Sequence, residues 1–548
     1  MRKMMITALM AVTGVALQAA LPTITNIGLS QNVDTRLVTV TYTLNGNTPA
    51  IVTPEFLTNG VSVGVNVGAL FGDISRVVTP TGGVSTFYWQ PTVTIPDTVL
   101  DANTLSVKLT VWDLASPPDY MAVNLLVTNS IAFYPSAEAV PGGVANRLYK
   151  TDVLLMRKIP AAGAEFMMGT PTNWFSSAGR VELGRSPVEH LPHQVALTND
   201  YYMGIYELTY RQFRNVLKRD PGWYNSSIWS GDADRDVHPL GGFRYHQWRS
   251  RSDTAGSVLK NMTNGVAEIG WPRSGHQIAT NNNPYLNTFR NLTGLEFDLP
   301  TEAQWEYACR AGSQYALYTD EELYYTAVTN LSLTEGKTIG STVKQIIADG
   351  ENEITNTFKV FNLSTNLDAI AWYAGNWAKD PHAVCMTTGI PLPHEVGLLK
   401  PNAFGLYDML GNVYECCLNR MDLNGNVSSG ADVIEPVGPD AANPSVQRAI
   451  RGGAYNCEAF ACRAGHRCSL GIYYFGTRSG SQNAEDNSVT SFLNTYGEGD
   501  PNASGSDAHL YSGAGPNIGV RLVCPAVIPA AAPGAEEEGP EETTEGGN

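Results

Sequence analysis

The chain has 548 residues, of which 43% are hydrophobic and only 16% are charged, and its formal net charge is −17 at pH 7. This length exceeds what one hydrophobic core usually serves, so at least two domains are expected. The low charged share argues against an all-helical protein, and the negative charge argues against a nucleic-acid partner, which needs clustered Lys and Arg.

The first twenty residues have the pattern of a secretory signal peptide. Arg2 and Lys3 precede an apolar run that ends at Leu17, and small residues follow at Ala19 and Ala20. This run is shorter than the roughly 20 residues that cross a bilayer, so a membrane anchor is the weaker alternative. We therefore expect residues 1–20 to be removed and the mature protein to be exported to the periplasm, the cell surface or the medium, without spanning a membrane.

Residues 21–136 predict an all-β domain. Short runs of Val, Thr, Ile and Leu alternate with period two at 37–44 and 106–112, as in half-buried strands, and Asn45 and Gly46 supply a turn. We expect an antiparallel β-sandwich of immunoglobulin or fibronectin type that spaces or docks its neighbour, followed by a linker at residues 137–150.

Residues 151–525 predict a second domain, of α+β class, with little regular secondary structure. Isolated helix signals lie among loops rich in Gly, Asn, Trp and Tyr. Thr209 with Gln212, and Thr301 with Gln304, have the spacing of a capping box, in which each side chain binds the other residue's backbone N–H. A helix is expected to begin after each Thr, and Gly312 is placed to end the second one.

Six short motifs follow one another along this domain: Phe-Met-Met-Gly at 166–169, Tyr-Glu-Leu-Thr at 206–209, Leu-Pro-Thr-Glu-Ala-Gln-Trp-Glu-Tyr at 299–307, Asn-Ala-Phe-Gly-Leu-Tyr-Asp-Met-Leu-Gly-Asn-Val at 402–413, Arg-Gly-Gly at 451–453 and Ile-Gly-Val-Arg at 518–521. In this order they resemble the formylglycine-generating enzyme, or sulfatase-modifying factor, family over residues 154–524. The resemblance implies a C-type-lectin-like fold with little regular structure.

The resemblance implies a calcium site in the fourth motif. In the family, the ligands fall at the positions held here by Asp408, Gly411, Val413 and Glu415. Two carboxylates and two backbone carbonyls are oxygen ligands that suit a hard cation. The other interpretation is that Asp408 and Glu415 are simply solvated or salt-bridged.

The resemblance also implies a copper site after the Arg-Gly-Gly motif. In the catalytic members, two cysteines there hold Cu(I), which activates oxygen to turn a cysteine of a sulfatase into formylglycine. Cys457 and Cys462 stand at the matching positions, and soft thiolates suit Cu(I). They are the candidate catalytic residues of a formylglycine-generating oxidase. The other interpretation is a short-loop disulfide or two structural thiols in an exported protein.

Three departures from the catalytic members favour an alternative function, a non-catalytic lectin-like protein that binds an extracellular ligand or another protein. Ala454 stands where those members have a serine, and the loop from Cys462 to Arg467 looks shorter than theirs. Cys416 replaces a tryptophan and makes an adjacent pair with Cys417. This adjacency also leaves a redox-sensing role open.

All eight cysteines lie in the second domain, and export permits disulfides. Their connectivity does not follow from the sequence. The family resemblance suggests one bridge, from Cys309 to the C-terminal strand, where Cys524 is the nearest candidate.

A long insertion occupies residues 468–517, with tyrosines and Phe475 among Ser, Gly, Asn and Asp. This composition is typical of a recognition surface, and it is equally typical of a disordered loop. Residues 526–548 are acidic with few apolar side chains after Ile528, which predicts a disordered tail.

Overall fold

A computed structural model describes residues 20–32, 34–63, 70–94, 103–169, 192–219, 235–241, 248, 285–321, 341–349, 352–360, 366–373, 376, 393–421, 433–434, 447–455, 457, 459–470 and 517–529. The chain forms two compact units, Met1–Leu114 and Ala115–Asn548. Among the helices in the described ranges, none has the length and apolar character needed to cross a membrane. Residues 1–19 of the predicted signal peptide, most of the insertion and most of the tail lie outside the described residues.

The first unit consists mainly of antiparallel strands in its described part: β1 (Thr23–Gln31), β2 (Val38–Asn45), β3 (Ala50–Thr58), β4 (Val61–Ser62), β5 (Leu70–Gly72), β6 (Arg76–Val78), β7 (Val84–Trp89) and β8 (Leu105–Trp112), with the short helix α1 (Pro91–Thr94). One sheet has the order β1-β2-β7-β5. In the other, β3 pairs with β4, β6 and β8.

The two sheets of this unit share one hydrophobic core. Alternate residues of β2, including Val38, Val40 and Tyr42, are buried in it, as expected of a strand with one face inward. Phe56 of β3 stacks on Trp89 of β7 with ring centroids 4.0 Å apart, so aromatic side chains from both sheets fill the core. The immunoglobulin or fibronectin type of this all-β unit stays a prediction.

The second unit has many short strands and few helices. Its strands are β9 (Tyr120–Asn124), β10 (Ile131–Tyr134), β11 (Val153–Ile159), β12 (Glu165–Met168), β13 (His193–Ala196), β14 (Tyr201–Gly204), β15 (Ser341–Asp349), β16 (Asn352–Val360), β17 (Ala371–Trp372), β18 (Leu410–Gly411), β19 (Tyr414–Met421), β20 (Val433–Ile434), β21 (Gln447–Arg451), β22 (Cys468–Leu470), β23 (Ile518–Gly519) and β24 (Val523–Pro525). Its helices are α2 (Leu148–Thr151), α3 (Tyr210–Leu217), α4 (Tyr285–Thr293) and α5 (Glu302–Arg310).

The two compact units divide after Leu114, whereas the sequence predicts a domain boundary at residue 136 and a linker at 137–150. Strands β9 and β10 join the second unit, in an antiparallel sheet of order β10-β9-β11-β14-β24. Met121 to Val123 are buried because β9 lies between two neighbours, and α2 follows within the predicted linker. Both units are rich in strands here, so no change of composition marks the true boundary at Leu114.

Both predicted capping boxes are present. Thr209 accepts a hydrogen bond from the backbone N–H of Gln212 and begins α3, and Thr301 does the same with Gln304 at α5. Helix α5 ends at Arg310, and Ala311 already has a left-handed conformation (φ 47°), one residue before the predicted Gly312. These local signals place α5, which carries two buried glutamates described below.

A second sheet brings the later motifs together. Its order is β22-β21-β19-β23, so the strand that ends in Arg451 lies beside the strand that carries Glu415. Strand β22 begins at Cys468, so the first residues of the predicted insertion belong to this sheet. Strand β18 pairs with β17 just before β19 and places Gly411 against Trp372.

Candidate functional site

The two segments predicted to bind metals lie side by side in the second unit. The backbone N–H of Gly411 donates to the carbonyl of Gly452 at 2.8 Å, and that of Tyr455 donates to Asn412 at 2.8 Å. Strand pairing between β19 and β21 continues this contact. The fourth and fifth sequence motifs therefore form one continuous site.

The paired glycines allow close packing at this site. A Cβ on Gly453 would lie 2.7 Å from Sγ of Cys462 and 2.8 Å from the carbonyl oxygen of Ala461, and the residue has φ +79°. A Cβ on Gly452 would lie 3.1 Å from the carbonyl oxygen of Met409. Glycine is the residue that meets both the left-handed conformation and the lack of space, so the sulfur of Cys462 packs directly on the backbone.

The predicted copper ligands are brought to one buried place. Cys457 is 1% exposed and Cys462 is 0% exposed, and a short 3-10 turn at Ala459–Ala461 connects them. The seven cysteines in the described part of the chain are all in the thiol form. The alternative of a disulfide between Cys457 and Cys462 is thus absent from this structure.

The surroundings of Cys462 act on its ionisation in two directions. Burial raises the pKa of the Cys462 thiol well above its ordinary value, and the neighbouring Cys457 raises it further. Main-chain hydrogen bonds from Ala454 and Gly411 lower it. Because burial is the largest of these effects, the protonated thiol is favoured, and a metal ion that bound it would displace the proton.

Helix α5 carries three buried charged residues and two buried arginines contact it, and we call the five the arginine–glutamate frame: Glu302, Glu306, Arg310, Arg451 and Arg467. Glu302 accepts two hydrogen bonds from Arg467, at 2.7 and 2.6 Å. Glu306 contacts Arg310 at 2.7 Å and also pairs with Arg451. Sequence reasoning missed these roles, although two glutamates four residues apart on an otherwise buried helix face were a usable signal.

Asp408, the first predicted calcium ligand, retains an oxygen that a cation could use. The residue is 2% exposed, and its Oδ2 accepts from the backbone N–H of Gly397 at 2.6 Å. Its Oδ1 is buried and has no hydrogen-bond partner. Burial raises the pKa of Asp408 to about 6. Such an orphaned acceptor fits a hard cation.

Glu415, the other predicted carboxylate ligand, fits less well. Both of its oxygens accept hydrogen bonds from Arg521, at 2.6 to 3.0 Å, and Oε2 also accepts from the indole of Trp305 at 2.7 Å. The salt-bridged interpretation of Glu415 is the one observed. Gly411 and Val413 use their N–H groups within the fold, toward Gly452 and Glu207.

Across the described ranges, no group of three or more His, Cys, Asp or Glu side chains is arranged to hold a metal ion. The predicted calcium site keeps support at Asp408, and calcium stays a prediction.

Glu207, which sequence reasoning did not single out, completes a buried acid cluster with Asp408, Glu415 and Arg521. Its two oxygens accept from the backbone N–H of Val413 at 3.1 Å and from the side-chain amide of Asn412 at 2.7 Å. Burial raises the pKa of Glu207 well above its ordinary value, and Asp408 and Glu415 add to this effect. Its position inside the second motif was the available signal.

The predicted disulfide between Cys309 and Cys524 is not formed in this structure, where both are free thiols. Cys309 on α5 lies in the same core cluster as Val523. Successive residues of a strand point to opposite faces, so Cys524 points away from that core, at the position opposite Tyr202. The alternation along β24 separates the two sulfurs.

Cys416 and Cys417 are both buried on β19, and burial raises the pKa of each thiol above its ordinary value. As neighbours on a strand they point to opposite faces. Two thiols on opposite faces of one strand do not face each other, which weighs against a redox-sensing role for this pair.

A family model described as "Sulfatase-modifying factor enzyme 1-like domain" matches residues 162–480, more than half of the chain. The chain is 24% identical over 358 residues to a protein of Mus musculus named formylglycine-generating enzyme, covering 61% of this chain and 73% of that protein. A protein of the same name from Bos taurus is 25% identical over 192 residues, which cover 35% of this chain and 36% of that protein.

Two solved structures have weaker likeness. Treponema denticola variable protein 1 is 19% identical with a TM-score of 0.35, and the match covers 68% of this chain and 95% of that one. PvdO from Pseudomonas aeruginosa is 17% identical with a TM-score of 0.35, over 68% and 94%. The family assignment rests on the family model and not on these structures.

Proposed function

Because the chain belongs to the sulfatase-modifying factor family, we propose that it is a copper-dependent oxidase that converts a cysteine of a partner sulfatase to formylglycine. The observation that carries this proposal is the buried thiol pair, Cys457 and Cys462. The two residues are separated by one short turn, and the Cys457 thiol is near enough to raise the pKa of Cys462. Two thiolates are the ligand set that Cu(I) prefers.

The bound copper would supply the activation of oxygen. The chain itself would hold the two sulfurs, exclude bulk water from them and release their protons on metal binding. Main-chain hydrogen bonds from Ala454 and Gly411 favour the charged form of Cys462 and so assist that release. A methyl group at Ala454 offers no hydroxyl to the reactants, so the reaction would depend on these backbone groups.

The first test is an anaerobic titration of the fully reduced protein with Cu(I) against a chromophoric competitor. We expect one tight site in the parent chain and its loss in Cys457→Ser and in Cys462→Ser. Cys524→Ser is the matched control, because it removes a buried thiol that lies opposite Tyr202 on β24 and is not one of the proposed ligands. This variant should bind copper like the parent. The absence of tight binding in the parent would remove the oxidase proposal.

The second test measures the reaction. The copper-loaded protein is incubated in air, with a thiol reductant, with a sulfatase-derived peptide that contains the target cysteine, and mass spectrometry follows the replacement of the thiol by an aldehyde. We expect conversion by the parent and none by Cys457→Ser. Tight copper binding without conversion would leave the alternative function, a non-catalytic lectin-like protein that binds an extracellular ligand.

We also propose that the protein is exported and that its first unit is a spacer of immunoglobulin or fibronectin type. Export is supported by the composition of residues 1–20, and the spacer by the two antiparallel sheets with a common core. Sequencing the N-terminus of the protein from its native source tests the first point. A mature chain that begins near Leu21 is expected, and one that begins at Met1 would contradict it.

A further inference from the structure

We propose that Arg467 and Arg451 are positioning residues that hold the Cys462 sulfur in place for metal binding. This inference rests on the proposed function, and it names the residues that fix the position of the Cys462 sulfur. Neither arginine touches a sulfur in the contacts described here. Both act through the backbone of residues 462–467, which we call the thiol segment.

Arg451 connects the two sides of the site. It is the last residue of β21 and leads through Gly452 into Gly453, against which the Cys462 sulfur packs. Its guanidinium also donates to the carbonyl of Ala464 at 3.0 Å and to that of Gly465 at 3.4 Å. The same residue therefore holds the glycines on one side of the sulfur and the chain that follows the sulfur on the other.

Arg467 fixes the far end of the thiol segment. It forms a two-pronged pair with Glu302, with Nε to Oε1 at 2.7 Å and Nη2 to Oε2 at 2.6 Å, and both side chains are buried. Such a pair sets direction as well as distance. Glu302 is itself held, because its backbone N–H donates to the side chain of Asn419 at 2.7 Å.

A third contact holds the thiol segment at Ala464, where Arg451 also binds it. The backbone N–H of Ala464 donates to the carbonyl of Ala316 at 2.9 Å, in the loop that follows α5. The thiol segment is thus tied to its surroundings at Ala464, Gly465 and Arg467, within five residues of Cys462. A segment tied at this density cannot open without breaking buried, charge-assisted hydrogen bonds.

Buried ion pairs are poor sources of net stability, because the cost of removing two charges from water offsets most of their attraction. Well-packed apolar side chains would stabilise the same core equally well. An apolar pair cannot donate hydrogen bonds to two carbonyl groups. We therefore explain the frame by its effect on the position of the thiol segment and not by its effect on stability.

The test measures how fast each cysteine of the reduced, copper-free chain reacts with iodoacetamide, residue by residue, by mass spectrometry. In Arg467→Lys, which keeps the charge and loses the two-pronged pair, we expect the rate at Cys462 to rise about tenfold relative to the rates at Cys309 and Cys524. The buried thiols of Cys309 and Cys524 report global opening within the same sample.

Arg310→Lys is the matched control. Arg310 pairs with Glu306 in the same frame, and its hydrogen bonds go to Gly169 and Tyr315, outside the thiol segment. Because Arg310 acts on its neighbour Cys309, Cys524 is the reference in this variant, and we expect the ratio of the Cys462 rate to the Cys524 rate to stay unchanged. An equal rise at all three cysteines in Arg467→Lys, or no rise at all, would overturn the positioning role and leave the frame a purely structural one.

Glu302→Gln provides a second route if Arg467→Lys does not fold, since it breaks the same pair from the helix side. The same selective rise at Cys462 is expected. Copper affinity is then measured separately, and the Arg467→Lys variant should bind Cu(I) about tenfold more weakly than the parent while Arg310→Lys binds normally. A parent chain that binds no copper would end the proposed function, whereas the alkylation ratios would still decide the positioning role.

Discussion

The arginine–glutamate frame and the acid cluster both place carboxyl groups beside arginine in the buried part of the second unit, yet the pKa of Glu306 in the frame shifts in the opposite direction to those of Glu207 and Asp408 in the cluster. In the frame, three arginines face Glu302 and Glu306. In the cluster, Arg521 pairs with Glu415 and acts on Glu207 and Asp408, and Lys150 also acts on Asp408. The pKa of Glu306 is lowered, whereas burial raises the pKa of Asp408 to about 6 and that of Glu207 well above its ordinary value.

Burial acts in the same direction in both places, because it penalises the charged form of a carboxyl group. At Glu306 it would raise the pKa, but Arg310 and Arg451 outweigh it. At Glu207 Arg521 does not outweigh burial, and at Asp408 Arg521 and Lys150 together do not. The balance of partner charges therefore decides whether a buried acid in this fold is a fixed anion or a holder of protons or cations.

The largest expected effect comes from breaking the frame. Glu306→Gln removes the anion that Arg310 and Arg451 share, and it leaves two buried arginines without it. We expect the free energy of unfolding of the second unit to fall by about 3–5 kcal/mol, measured by urea denaturation. Asp73→Asn is the control, because it breaks an exposed pair with Arg76 in the first unit and should cost less than about 1 kcal/mol. If both variants lower the free energy of unfolding equally, a buried pair of the frame contributes no more to stability than an exposed pair.

A smaller effect of opposite sign is expected in the cluster. Asp408→Asn removes a carboxyl group whose ionisation the fold disfavours, and asparagine tolerates the left-handed conformation found there (φ 54°). In chelator-treated buffer at pH 7 we expect the variant to be more stable than the parent by up to about 3 kcal/mol, from the shift of about two pKa units. A variant less stable than the parent would contradict the conclusion that the fold disfavours the charged form of Asp408.

The pH dependence separates the two regions further. Because the pKa of Asp408 is raised from 3.8 to about 6 on folding, the folded state binds more protons between those values. Stability from this group is therefore fully present below about pH 4 and lost as the pH rises to about 6. The advantage of Asp408→Asn should grow over that range, in thermal unfolding with chelator present.

The contribution of Glu306 to stability changes with pH in the opposite direction, because its pKa is lowered in the folded state. Its contribution is present above its ordinary pKa of 4.5 and is lost as the pH falls through the folded value. If the stability of the parent chain falls steadily as the pH falls from 6 to 4, then the stability gained by protonating Asp408 in the cluster does not offset the stability lost by protonating Glu306 in the frame.

The smallest expected effect is that of calcium. If Asp408 uses its orphaned Oδ1 as a ligand, free calcium at about five times Kd should stabilise the parent by about 1 kcal/mol. Asp408→Asn should not respond. Differential scanning calorimetry with and without calcium measures both, and an unchanged melting temperature in the parent would remove calcium from the cluster.

Local sequence patterns predicted local structure well. The capping boxes at Thr209 and Thr301 are both present, because a cap involves residues only three apart and needs no distant partner. Patterns failed where strands choose partners at long range. Strands β9 and β10 lie within the range predicted for the first domain, yet β9 pairs with β10 and with β11 of the second unit. Strand alternation likewise placed Cys524 away from Cys309.

The sequence by itself determined the family, the starts of two helices and the identity of the two cysteines that sit together after the Arg-Gly-Gly motif. Only the tertiary structure decided which charges meet: Arg451 with Glu306, Arg467 with Glu302, and Arg521 with Glu415. The partners are more than a hundred residues apart, and the strength of a buried charge depends on its neighbours in space. Periodicity and spacing describe a chain's near neighbours, whereas the low dielectric of a core makes the distant ones decisive.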